Sequence, residues 1–324
     1  MPEKSSSPIH ALANNILHAF ENPHEGFVDR LKVSVERGHV LPEIALRDDL
    51  VSPVGPKAVD EPAEIHLHIT HLEVLWCFIY GWMVRYEEGY QKRALALEKG
   101  TIYISAERLL SRANLLLEWA QSVADEYTPW PTELPSPVFW DSSTEHWYTE
   151  KANLIFQEAA AFLLFHEWMH GTSNHMAIWR GLSRNEKIEL EKDADNGAYD
   201  VIVGDQSDEE KLHLAWAVLS AVLSSYYLFS TNTPVKQLRH PELHHRAQHL
   251  LLGFDFTEER LLAYFHGLCV EVLRDIFKDV PWDDPDDGYE TAEEFLQATL
   301  DQLDRMLDES TTTPLRRSSR LLAS

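Results

Sequence analysis

The sequence predicts a mainly α protein carrying one small β-sheet, and three observations predict it. Apolar residues recur at helical spacing through most of the 324-residue chain. One short segment, EIHLHIT at 64–70, alternates with a period of two. The apolar run FLLFHEWMH at 162–170 and a later acidic run, each of helical character, are expected to flank a cleft. With 44% hydrophobic and 10% aromatic residues, the chain can bury a substantial core.

Taken in order, residues 1–63 read as a loose, partly helical extension. It ends in a polar, proline-containing stretch at 40–62 without sustained periodicity, expected to be a linker or draped loop. The main unit is expected to span 64–280. In EIHLHIT, Ile65, Leu67 and Ile69 alternate with His66, His68 and Thr70, as in a half-buried strand, and TIYIS at 101–105 is its expected partner. Between them, HLEVLWCFIYGWMVRYEEGY at 71–90 is too long and aromatic for a strand and predicts a buried helix. An amphipathic helix follows at 106–124, and then YTPWPTELPSPVFW, whose four prolines predict a rigid, extended connection.

The helix holding FLLFHEWMH is expected from about 151 to 171. The next begins at Ser183, where Ser183 and Glu186 have capping-box spacing, and runs to about 203. Further helices are expected at 210–230, 241–252, 257–278 and 291–308. The uncharged stretch at 212–230 approaches membrane-spanning length, but four serines, His213 and two tyrosines favour a buried core helix. Residues 281–308 form a C-terminal helical unit behind the acidic turn PWDDPDDG, and 309–324 form a basic tail expected to be disordered.

The balance of 28 basic against 53 acidic side chains gives a net charge of -25, which disfavours nucleic acid and anionic membrane surfaces as partners. Only Cys77 and Cys269 are present, and no basic-then-apolar leader opens the chain, so a cytoplasmic location is expected.

His166 and His170 lie four residues apart, on one face of a helix, where two imidazoles can grip one metal ion. Glu167 then sits beside the metal as a general base. A third ligand must come from elsewhere. The position six residues after His170 holds Met176, whereas EKDADNGA offers Glu191 and, one turn later on the same face, Asp195. Glu191 is the expected ligand, with Asp195 accepting a hydrogen bond from the far nitrogen of His166; the reverse assignment has equal phase and stays open. Asp193, roughly 200° around the helix, faces elsewhere. Two imidazoles and a carboxylate favour Zn2+ over magnesium or calcium.

His166-Glu167-x-x-His170, followed by Glu191-x-x-x-Asp195-x-x-Ala198, resembles the gluzincin pattern of thermolysin and of the heat-shock and CaaX-processing membrane peptidases. His240, Pro241 and Arg246 match the H-P-x-x-x-x-R that the latter peptidases carry downstream, and the resemblance makes His240 and Arg246 the candidates for a donor to the charge that builds on a scissile carbonyl oxygen. The closer resemblance, over about 65–252, is to the Lit-type phage-exclusion peptidases, with Leu75, Trp76, Cys77 and Tyr80 matching their LWC-x-x-Y segment. This resemblance implies an α+β zincin-like fold and a cytoplasmic zinc endopeptidase that cuts elongation factor Tu and answers to a phage-derived activator. The residues themselves leave room for a regulatory or housekeeping protein substrate, or for a non-catalytic zinc-containing peptide-binding module.

Overall fold

A computed structural model describes residues 7–49, 51–204, 207–229, 242–283 and 288–309. Helices α1 (Ala13–Glu21) and α2 (Phe27–Glu36) precede strand β1 (Val40–Arg47). Strands β2 (Lys57–Val59) and β3 (Ala63–His68) complete a three-stranded sheet of order β1-β3-β2, with β1 parallel and β2 antiparallel to β3. As the alternation predicts, Ile65 and Leu67 of β3 are buried, while His66 and His68 stay partly exposed.

Two expectations about strands are corrected. The stretch at 40–62 contains β1 and β2 rather than a draped loop. Its periodicity was hidden because β1 is an edge strand with most side chains outward and a proline, Pro42, which an edge tolerates. TIYIS forms no strand. Both flanks of β3 are already paired, leaving Ile102 and Ile104 91% and 85% exposed.

After β3 the chain enters α3 (Ile69–Val84), every residue of which is buried, and continues through a π-helical segment (Arg85–Gln91) into α4 (Lys92–Glu98). Helix α5 (Glu107–Ser122) packs on α3. The stacked Trp76 and Tyr80 rings, 5.2 Å apart, and the Trp76 indole bonded to Asn153 make the LWC-x-x-Y segment part of the core.

Helix α6 (Ser143–Thr172) runs for 30 residues, about 45 Å, through the middle of the molecule. It begins earlier than expected because Ser142 caps it, accepting from the Glu145 amide. Its segment from Ala159 to Phe165 is apolar on all sides because α1, α3, α8 (Arg184–Ile202) and α9 (Asp208–Leu223) surround α6. Short α7 (His175–Ile178) lies between α6 and α8. Helix α8 starts at the predicted Ser183/Glu186 capping box, and α9 starts at another formed by Ser207 and Glu210. Then follow α10 (Leu243–Gly253), α11 (Glu259–Ile276) and α12 (Ala292–Glu309).

Helix α9 gives way to a 3-10 turn at Ser224, and among the described residues no helix is long and apolar enough to cross a membrane. The sheet draws β1 and β2 from before residue 64, and β3 begins at Ala63 and runs across that position. The basic tail at 310–324 lies outside the described residues.

The C-terminal end of α6 abuts the sheet. A Cβ on Gly171 would stand 2.7 Å from Val40 Cγ1 and 2.9 Å from Ala63 Cβ, so only glycine permits this approach. That contact brings the turn before it, with Glu167, against β2.

Candidate metal centre

Helix α6 fixes His166 and His170 on one face, with their Nε2 atoms 3.2 Å apart. Helix α8 packs alongside and presents Glu191. Its Oε2 is 3.4 Å from His166 Nε2, and its Oε1 is 3.7 Å from His170 Nε2. The two Nε2 atoms and a Glu191 carboxylate oxygen lie within 4.8 Å of one another, and the two Nε2 atoms are close to the tetrahedral edge of about 3.3 Å expected for bonds of about 2.0–2.1 Å to a central ion. The three residues are 6%, 6% and 3% exposed, and among the described residues no fourth His, Cys, Asp or Glu joins the group. The donor set and its spacing therefore suit a divalent ion with one coordination position left to a water or substrate.

Each histidine is also held from behind. His166 Nδ1 lies 2.9 Å from Asp195 Oδ1, and Asp195 is gripped bidentately by Arg246 of α10, through Nε at 2.8 Å and Nη2 at 2.6 Å. His170 Nδ1 lies 3.0 Å from Nδ1 of His175, which α7 carries. With Nε2 of His170 turned to the ion, its Nδ1–H donates and His175 accepts. Asp193 is exposed, as its phase predicts.

Charge in this cluster follows from these contacts. Burial disfavours an imidazolium at His166, but hydrogen bonds and attraction from Asp195 and Glu191 outweigh it and push the group up to about 10. Burial likewise opposes ionised Asp195, yet Arg246 and His166 hold its carboxyl well below the usual range. Burial is the first cause lowering His175, followed by neighbouring His170, which suits a neutral acceptor. A protonated His166 faces a carboxylate with each ring nitrogen, Asp195 from Nδ1 and Glu191 from Nε2, and an ion bound at Nε2 would take the place of the proton there.

Glu167 points from α6 toward the sheet, where its Oε2 accepts from the Ala58 amide of β2 at 2.6 Å. It is 8% exposed. His240 and Pro241 lie outside the described residues. Arg246, the other candidate donor to a substrate oxygen, has its Nε and Nη2 committed to Asp195 of α8 from α10, which packs on α9 and α8. His175 is the residue that sequence reasoning missed. It reaches His170 through a left-handed turn at Asn174, φ 57°, which spacing does not encode.

A family model, Peptidase U49, matches residues 65–267. The chain belongs to the peptidase U49 family. This is the family of the Lit-type peptidases, so the protein is a peptidase, and the match spans all the residues of the metal cluster. No curated protein and no solved structure matches the chain.

Proposed function

We propose that this U49 peptidase is a zinc-dependent endopeptidase of host-defence type, acting in the cytoplasm on a protein for which elongation factor Tu is the candidate. The observation that carries the zinc reading is the convergence of His166 Nε2, His170 Nε2 and the Glu191 carboxylate, with Glu167 next to His166 in the chain. When bound, zinc supplies Lewis acidity, lowering the pKa of a water toward about 7 and polarising the scissile carbonyl. Glu167 accepts the proton of the attacking water and delivers it to the leaving amine. The Ala58 amide aims the carboxylate by holding Oε2, leaving Oε1 to work on the water. Asp195 and His175 fix the ring orientation of the two histidines, and Arg246 acts as a positioning residue that keeps Asp195 ionised. His240 is kept as the candidate oxyanion donor. The phage link, the activator and the elongation-factor substrate rest on the Lit-type resemblance.

The test pairs metal analysis of wild type and Glu167→Gln with mass-spectrometric mapping of new peptide ends in bacterial lysate, with and without phage components. About one zinc in this cluster in both proteins, with cuts only from wild type, is the expected result. Equal cutting by Glu167→Gln, or a wild type that takes up no metal at His166 and His170, would sink the mechanism.

A further inference from the structure

We propose a second site for a divalent transition-metal ion, separate from the first, at the joint between α10 and α12. His244 and His245 are neighbours on α10, and Asp304 belongs to α12. His244 Nε2 is 3.0 Å from Asp304 Oδ1, and His245 Nε2 is 2.9 Å and 3.0 Å from its two carboxylate oxygens. Side chains adjacent on a helix leave about 100° apart, yet these two rings close to 4.4 Å and aim both Nε2 atoms at one carboxylate. The three donor atoms all lie within 4.8 Å of one another, within reach of a single ion at bonds of about 2.0–2.2 Å.

His244 is only 2% exposed, and its Nδ1 lies 3.1 Å from the Tyr226 hydroxyl. That contact fixes the ring and leaves Nε2 as the ligand atom, the arrangement typical of a metal-bound histidine. The side chains of His245 and Asp304 are 42% and 41% exposed, so an ion can enter from solvent and water can complete its coordination. A relay of plain hydrogen bonds from Tyr226 through His244 to Asp304 would account for His244 alone. It does not need His245, whose Nε2 meets both oxygens of the same carboxylate. Two imidazoles and a carboxylate select zinc, cobalt or nickel over magnesium or calcium.

The ion would clasp α12, which packs chiefly on α11, to the helix whose next residue, Arg246, holds Asp195. His244 and His245 lie within residues 65–267 and Asp304 beyond them, so the family match does not contain the whole site, and the site does not rest on the peptidase reading.

The test titrates chelator-stripped protein with zinc by calorimetry and with cobalt by visible absorption. Wild type is expected to bind two equivalents. His166→Ala/His170→Ala is expected to keep one, raising its Tm. Adding His245→Ala/Asp304→Asn to that background should weaken the remaining equivalent about 10-fold or more and abolish the rise in Tm. Binding that is unaffected by His245→Ala/Asp304→Asn, with ions caught elsewhere among the 17 histidines, overturns the proposal. So does a wild type whose single equivalent disappears with His166 and His170. If His166→Ala/His170→Ala does not fold, the stoichiometry of wild type against His245→Ala/Asp304→Asn, two against one, decides. A single equivalent that survives His166→Ala/His170→Ala would instead sink the first site and leave this one standing.

Discussion

On α3, His71 and Glu73 are two residues apart and both 0% exposed; on α6 and α8, His166, His170, Glu191 and Asp195 are buried almost as deeply. The residue types are the same, but the consequences are opposite. Neither ring nitrogen of His71 has a hydrogen-bond partner among the described residues, and burial, with a lesser contribution from His68, lowers it to about 4. Burial pushes Glu73 up to about 7, with Ser7, Tyr127 and His10 only partly offsetting it. In the metal cluster the same burial is overridden, because each charge meets an opposite one across a helix–helix contact. Burial alone therefore does not mark a site. Convergence of partners from separate elements does.

The sharpest way to break this comparison sets Glu167→Gln against Glu73→Gln. The first is expected to lower kcat/KM for a cleaved peptide ~10²–10⁴-fold, and the second to leave it near wild type. Equal losses would erase the distinction. Next in size is Arg246→Met, which leaves a buried Asp195 carboxylate with His166 as its remaining partner and should cost about 3–5 kcal/mol in urea unfolding. A cost under ~1 kcal/mol would mean that Asp195 carries no charge there.

The α3 pair gives a pH signature. Glu73 has a folded pKa above its ordinary 4.5, so its contribution to stability is complete below pH 4.5 and is lost as pH rises through about 7. His71 has a folded pKa below its ordinary 6.5, so its contribution is present above pH 6.5 and is lost as pH falls through about 4. Each difference corresponds to roughly 3 kcal/mol at most. Glu73→Gln should therefore flatten the fall in stability between about pH 5 and about pH 8, measured by denaturant midpoints. A slope identical to wild type would show that Glu73 is already paired. The smallest effect is expected for Asp195→Asn, read as metal affinity by chelator competition: about 10–100-fold weaker, through loss of the partner that orients His166. Unchanged affinity would make Asp195 a partner of Arg246 alone.

What the sequence revealed follows the same division. His166 and His170 were legible because helical spacing alone fixes which side chains share a face, whereas spacing left Glu191 and Asp195 at equal phase and only the packing of α8 on α6 tells them apart. The alternation of β3 and the Ser183/Glu186 cap were legible for the same local reason. The relay from His166 through Asp195 to Arg246 was legible only in part. The link to Arg246 depends on where α10 lies, and the sequence pointed Arg246 at the substrate. His175 depends on one left-handed residue, Asn174. TIYIS has the pattern of a strand, but the sheet had no open place beside β3, a fact that no local pattern carries.

Asp195 stands between His166 and Arg246, so the candidate metal ligands and α10 are joined through one carboxylate. Coupling of this kind is thermodynamically reciprocal: whatever free energy a docked α10 adds to holding the ion, the ion adds to the docking of α10. With the second site removed by His245→Ala/Asp304→Asn, a chelator would thus loosen a helix that contributes no ligand to the first site. Its effect should appear as faster amide hydrogen exchange at Leu250 and Leu251, two buried apolar residues with no side-chain donor atom of their own.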